Sequence, residues 1–116
     1  MNIKTFLWIA LSLIGLGTAG AQTTPNKNKK VEFAVGGNCG QCKARIEKAA
    51  YSVKGVKSAN WNINSGNITL IIDERKCSES DVQKAIAKVG HDAGKERADD
   101  AVYNKLHNCC LYERLP

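Results

Sequence analysis

Apolar and polar positions alternate in Val31-Glu32-Phe33-Ala34-Val35, and the alternation stops at Gly36-Gly37, which predicts a strand followed by a loop. From Gln41 to about Val53 the period changes. Ile46, Ala49, Ala50 and Val53 recur at helical spacing, and Gly55 closes the segment. Val56 to Ile63 returns to alternation, with Ala59, Trp61 and Ile63 on the apolar face. Asn64-Ser65-Gly66-Asn67 reads as a hairpin turn, and Ile68 to Asp73 as a strongly apolar strand. Ser78 and Asp81 have the spacing of a capping box with a shortened acid. The helix they open runs to about Val89, with Val82, Ala85, Ile86 and Val89 on its buried stripe, and Gly90 stops it. His91 to Ala98 closes the series as a short strand of weak composition.

Strand, helix, strand, strand, helix, strand is the split βαβ order. The expected fold class is therefore α+β: a ferredoxin-like βαββαβ sandwich, with two helices on one face of a four-stranded antiparallel sheet. That domain occupies residues 31–98. Residues 99–116 form a cysteine-containing tail, in which Asp99 or Asp100 caps a short helix carrying Val102, Tyr103 and Leu106 and ending near Asn108. Residues 22–30 are a polar, flexible leader. Residues 1–21 read differently: a positive start at Lys4, an uncharged apolar run from Thr5 to Gly17, and Ala19-Gly20-Ala21 as a small-residue cleavage site. The run is shorter than the roughly 20 residues that span a bilayer. A signal peptide is expected, with an uncleaved N-terminal anchor as the alternative. The mature chain would then be periplasmic or secreted.

Composition changes the picture mainly through cysteine. The five cysteines are Cys39, Cys42, Cys77, Cys109 and Cys110, all beyond the apolar start. Export implies an oxidising compartment, where disulfides are the default. Five is an odd number, so at least one thiol stays unpaired in a monomer. The net charge of +6 fits either contact with an acidic surface or simple solubility. Export and the few, scattered aromatics argue against nucleic acid as a partner.

Cys39-Gly40-Gln41-Cys42 falls where a strand ends and a helix begins. Cys42 lies in the first helical turn, where free N–H groups and the helix dipole favour an anion, so thiolate is promoted there. Lys43 and Arg45 add positive charge, and the flanking glycines keep the loop free of side chains. Two thiolates without a carboxylate cluster suit a soft ion. Cu(I) fits best, while Hg(II), Ag(I) and Zn(II) are also accommodated. Structural zinc wants four ligands, so two cysteines favour an open, transfer-competent site.

With these motifs in place, Val31 to Ala98 resembles the heavy-metal-associated domain family of copper chaperones, copper-ATPase N-terminal domains and periplasmic mercuric-ion binding proteins. The resemblance rests on Gly36-Gly37-Asn38-Cys39-Gly40-Gln41-Cys42, on Gly55-Val56 and on Gly90-His91-Asp92-Ala93. It implies metal binding by Cys39 and Cys42. Two departures stand out. The family usually carries Met two residues before the first cysteine, packed under the loop. Gly37 stands there in this chain, which suggests a looser loop. The family usually carries an aromatic residue or Lys after the glycine that ends the second helix, and here it is His91.

The topology puts His91 at the metal-loop end, making it a candidate third ligand; the alternative is a solvent-facing histidine. Cys77 is expected at the opposite end, where the tail also departs. A disulfide from Cys77 to Cys109 or Cys110 would staple the tail. Alternatively, Cys109 and Cys110, with His107, make a second soft-metal site. Lys43, Arg45, Lys48, Lys54 and Lys57 could form a basic face for an acidic partner domain of a metal transporter or acceptor, or be a solvated helix surface. Trp61 reads as core, and Asp73, Glu74 and Asp81 as turn and cap residues. The function expected is a non-enzymatic metal carrier or scavenger working by thiolate exchange, either as a monomer or as a metal-bridged dimer. The competing readings are a thiol–disulfide oxidoreductase using Cys39 and Cys42, and a disulfide-stapled interaction domain.

Overall fold

The computed structural model describes residues 24–114. The expected signal peptide, residues 1–21, lies outside the described residues. Strand β1 (Lys29–Ala34) leads into helix α1 (Gly40–Tyr51), followed by the hairpin of β2 (Val56–Trp61) and β3 (Asn67–Ile72), helix α2 (Glu79–Lys88), a short helix α3 (Asp100–Asn104) and a 3-10 turn at Asn108–Cys110. The leader is therefore shorter than its composition suggests, since β1 takes up Lys29 and Lys30.

The sheet is antiparallel in the order β1-β3-β2, with β3 central. Period-2 alternation sets the faces: Val31 and Phe33, Ala59 and Trp61, and Ile68, Leu70 and Ile72 are all buried. α1 contributes Cys42, Ile46, Ala49 and Ala50 to this layer, and α2 contributes Val82 and Ile86. The Ser78 hydroxyl accepts from the Asp81 N–H, and the Asp81 carboxylate accepts from the Ser78 N–H, so the predicted capping box is formed.

Ile63 leaves the predicted apolar face. β2 ends at Trp61 because the Asn62 side chain accepts from the N–H groups of Asn64 and Ser65, curling the chain before Ile63, which is exposed. The buried stripe of α2 is also turned from the expected one, with Gln83 and Ala87 inside and Ala85 and Val89 only half-buried.

The fourth strand is the main correction. Residues 91–98 pair with the edge of β1 only through the Val35–Ala93 bridge, flanked by Gly36 N–H to Asp92 C=O and Gly94 N–H to Ala34 C=O. Gly94 then takes φ +54°, and Ala93 and Glu96 close a tight antiparallel turn upon themselves. A Cβ at 94 would fall 2.2 Å from Gln83 Nε2, so the Gln83 side chain would have to move aside. The chain turns back instead of running the length of β1, and the Ala98 N–H reaches the Asp92 carboxylate at 2.8 Å. The tail consequently starts beside the Cys39 loop, not at the far end of the sheet.

Candidate metal centre

β1 continues through Val35 into the Gly36-Gly37-Asn38 loop, and Cys39 is the N-cap residue of α1 with extended backbone. Its carbonyl accepts from Lys43 N–H, so Cys42 sits in the first turn as predicted. The Cys39 and Cys42 sulfurs are 3.4 Å apart. Trp61 supports the loop from below. Its indole N–H donates to the Val35 and Gly66 carbonyls, and a Cβ placed on Gly37 would lie 3.0 Å from the indole and 3.2 Å from Cys42 Cβ. In place of the family's methionine, Trp61, fully buried, fills the space under Gly37.

The tail returns over this loop. Tyr112 lies against Gly36, where a Cβ would stand 2.3 Å from its ring, and it stacks on His91 with centroids 5.5 Å apart. Its hydroxyl donates to the Gly90 carbonyl at 2.9 Å and accepts from Asp92 N–H at 2.8 Å. Arg114 grips Asp92 with two nitrogens, pairs with Asp100 and donates to the Ala98 carbonyl. Its guanidinium also covers the Tyr103 ring. Leu106 packs over Gly90.

These anchors bring the tail cysteines to the loop. Cys110 Sγ is 3.4 Å from Cys39 Sγ, and Cys109 Sγ is 3.7 Å from it. Cys109 and Cys110 are themselves 3.8 Å apart. The sulfurs of Cys39, Cys42 and Cys110 all lie within 4.8 Å of one another, a cluster able to hold a metal ion. Cys42 and Cys110 are fully buried, Cys39 is half-buried and Cys109 is exposed, so the cluster opens on the Cys39–Cys109 side.

The electrostatics single out one sulfur. Burial works against ionisation of Cys39, yet its thiol is pulled down to about 6. The Cys42 backbone N–H and the neighbouring Cys110, Cys42 and Cys109 sulfurs outweigh that penalty. Burial pushes Cys42 up to about 12, reinforced by the Cys110 and Cys39 sulfurs beside it. Cys109, in contact with the Cys39 and Cys110 sulfurs, is raised to about 11. Cys39 is thus more readily ionised than Cys42 or Cys109. The Cys42 thiol donates to Asn38 Oδ1, and the Cys109 thiol to Gln41 Oε1.

The other predicted site residues lie elsewhere. His91 is at the expected end but fully buried and outside the sulfur cluster. Its Nδ1 faces the Gly36 carbonyl at 2.7 Å, so this nitrogen carries the proton, and Nε2 faces Arg45 at 3.4 Å. Burial lowers its pKa and keeps the ring neutral. His91 thereby fixes Gly36 and receives Tyr112. His107 is exposed. Cys77 is buried at the α2 end of the sheet beside Gly55 and the Asp73 carbonyl, its thiol raised first by burial. All five cysteines are free, so the expected staple from Cys77 to the tail is absent. Of the basic residues, Lys43 is tied to Glu47, Asn60 and the Trp61 carbonyl, whereas Lys48, Lys54 and Lys57 are exposed.

Sequence reasoning did not find Tyr112, Arg114 and Asp92 as the tail's anchors, nor Asn38 and Gln41 as partners of the cysteines. The available signal was the bare Gly36-Gly37 pair, each glycine leaving room for one aromatic ring.

The profile of the heavy-metal-associated domain family matches residues 32–92. The copper chaperone CopZ of Staphylococcus aureus is 35% identical over 57 residues, covering 49% of this chain and 84% of the chaperone. Among solved structures, a CopZ metallochaperone superposes with a TM-score of 0.54 at 32% identity, over 56% of this chain and 98% of that one. Oxidized MerP from Ralstonia metallidurans CH34 gives 0.56 at 25% identity, over 58% and 94%. The N-terminal domain of a potential copper-translocating P-type ATPase from Bacillus subtilis, in its Cu(I)-loaded state, gives 0.55 at 29% identity, over 65% and 95%. With the profile spanning more than half the chain and the cysteine pair standing at the start of α1, this chain belongs to the heavy-metal-associated domain family.

Proposed function

We propose that this protein is an exported carrier or scavenger of a soft metal ion, with Cu(I) as its cargo and Cys39 and Cys42 as the exchanging ligands. The observation that carries this reading is the pair of sulfurs 3.4 Å apart at the start of α1. The relatives named as copper chaperones and copper-transporting domains support copper as the cargo. Hg(II), Ag(I) and Zn(II) satisfy the same soft-donor chemistry less closely.

Transfer runs by ligand exchange without change of oxidation state. A partner's thiolate forms a bond to the ion, the ion's bond to one of this chain's sulfurs breaks, and a second exchange completes the handover. Cys39 faces solvent and is the sulfur an incoming thiolate reaches, while Cys42 lies beneath it. An acidic metal-binding domain of a transporter suits the shallow groove between α1 and α2, which is lined by Arg45, Lys48 and Lys88. No observation favours oxidoreductase chemistry.

The test is anaerobic titration of the reduced chain with Cu(I) against a competing chelator, for wild type and for Cys39→Ser/Cys42→Ser. Tight one-to-one binding that vanishes in the double variant supports the carrier. Absence of tight binding in the wild type, or its persistence in the variant, overturns this assignment of the site.

A further inference from the structure

We infer that the C-terminal tail is a built-in clasp on the metal site: Cys110 supplies a third thiolate to the ion held by Cys39 and Cys42, and cargo leaves only when the tail lets go. This rests on the carrier reading and adds to it a three-sulfur site and a gate.

Three separate observations support the clasp. The first is distance. Sulfurs bound at about 2.3 Å to one ion in a trigonal plane stand about 4 Å apart. The Cys39, Cys42 and Cys110 sulfurs lie within 4.8 Å of one another. The second is burial. Cys110 is fully buried under the loop, although it lies beyond the last helix in a segment with little regular structure. A thiol in a loose tail would be exposed. The third is the anchoring. Tyr112 and Arg114, on the C-terminal side of Cys110, bind Gly90, Asp92, Ala98 and Asp100, and Gly36 lacks the side chain that would collide with Tyr112.

A partner that removes the ion needs a thiolate in the ion's coordination sphere. In this chain Cys110 holds that place. Because it belongs to the same chain, its effective concentration at the ion far exceeds that of a free competing thiol. Cys109 stands at the mouth, exposed and 3.7 Å from Cys39. It is the first tail sulfur that a partner meets.

The sulfur count and the release rate test this together. Cu(I)-loaded wild type, Cys110→Ser and Tyr112→Ala are compared by X-ray absorption at the copper edge and by stopped-flow transfer to bathocuproine disulfonate. The expected result is three sulfurs in the wild type and two in Cys110→Ser, with release faster by about tenfold or more in that variant. Tyr112→Ala keeps every cysteine and should also release faster, which separates the clasp from the mere loss of a thiol. Equal sulfur counts and equal rates across the three proteins overturn the clasp and leave the two-cysteine carrier standing. If the wild type itself takes up no Cu(I), the carrier reading fails and the clasp with it.

Discussion

Cys39 combines an accessible sulfur with a lowered pKa, and this singles it out from Cys42, Cys77 and Cys109. Alkylation of the reduced, metal-free chain with iodoacetamide at pH 7 should therefore mark Cys39 first. Its rate should rise through about pH 6 and level off above, because the thiolate is the nucleophile. Cys109 is more exposed but should react only as pH climbs toward about 11, and peptide mass mapping reads both. Trp61 and Gly37 form the other decisive pair of residues. Gly37→Met should destabilise the fold by about 1–3 kcal/mol through overpacking against the indole. Trp61→Ala should cost about 3–5 kcal/mol for the cavity it leaves. The double variant should be more stable than the sum of the two losses, as measured by urea unfolding, because the methionine fills the space the indole vacates. The family pattern made Gly37 legible as a departure. Its reason was not legible, because nothing in the sequence alone says that a residue at the end of β2 reaches under a loop that follows β1.

At the scale of elements, the tail is a strap with one electrostatic buckle. Burial would raise the Asp92 carboxyl, but hydrogen bonds from Arg114 and the Ala98 N–H, with the charges of Arg114 and Arg97, hold it below the ordinary carboxylate value. A depressed acid contributes stability that is complete above its unfolded pKa, about 4, and that is lost as pH falls through the folded value. Lowering the pH below about 4 should thus release residues 99–114 before the sheet unfolds. NMR amide shifts of the tail, compared with those of β3, would follow this, and Asp92→Asn should remove the transition. Both helices and the three strands were readable from their periodicity, and the capping box at Ser78 from two residues. The missing fourth strand was not, because the cause is a tertiary one. Gln83 occupies the space beside Gly94, and the weak pattern of residues 91–98 carries no trace of that contact. The position of the tail followed from the same error. A full strand would have delivered Cys109 and Cys110 to the Cys77 end, whereas a turn at Gly94 leaves them beside Cys39.

At the scale of the whole molecule, the cysteines divide into four that converge at one end of the sheet and one that is buried away from them. Cys77→Ala should accordingly leave the Cu(I) stoichiometry unchanged while lowering stability by about 1–2 kcal/mol, the order expected for truncating a small buried side chain. The proposed export is a separate matter, resting on the first 21 residues alone. Mass analysis of the secreted fraction of an expressing cell should find a chain beginning at Gln22, and retention of Met1 in the isolated protein would refute cleavage. The turn at Gly94 has one more effect. Among the described residues it leaves β1 with a strand along only one side for most of its length, the kind of border on which a second chain can nucleate an intermolecular sheet. Lys30 and Glu32 project from that border on the outer face, with Lys29 at its start, and their charges make stacking of like borders unfavourable. On this border a few charged side chains, rather than a further strand, oppose pairing with a second chain. Replacing Lys30 and Glu32 with Val should turn a chain that stays dispersed into one that forms β-rich assemblies, visible as concentration-dependent light scattering with thioflavin binding.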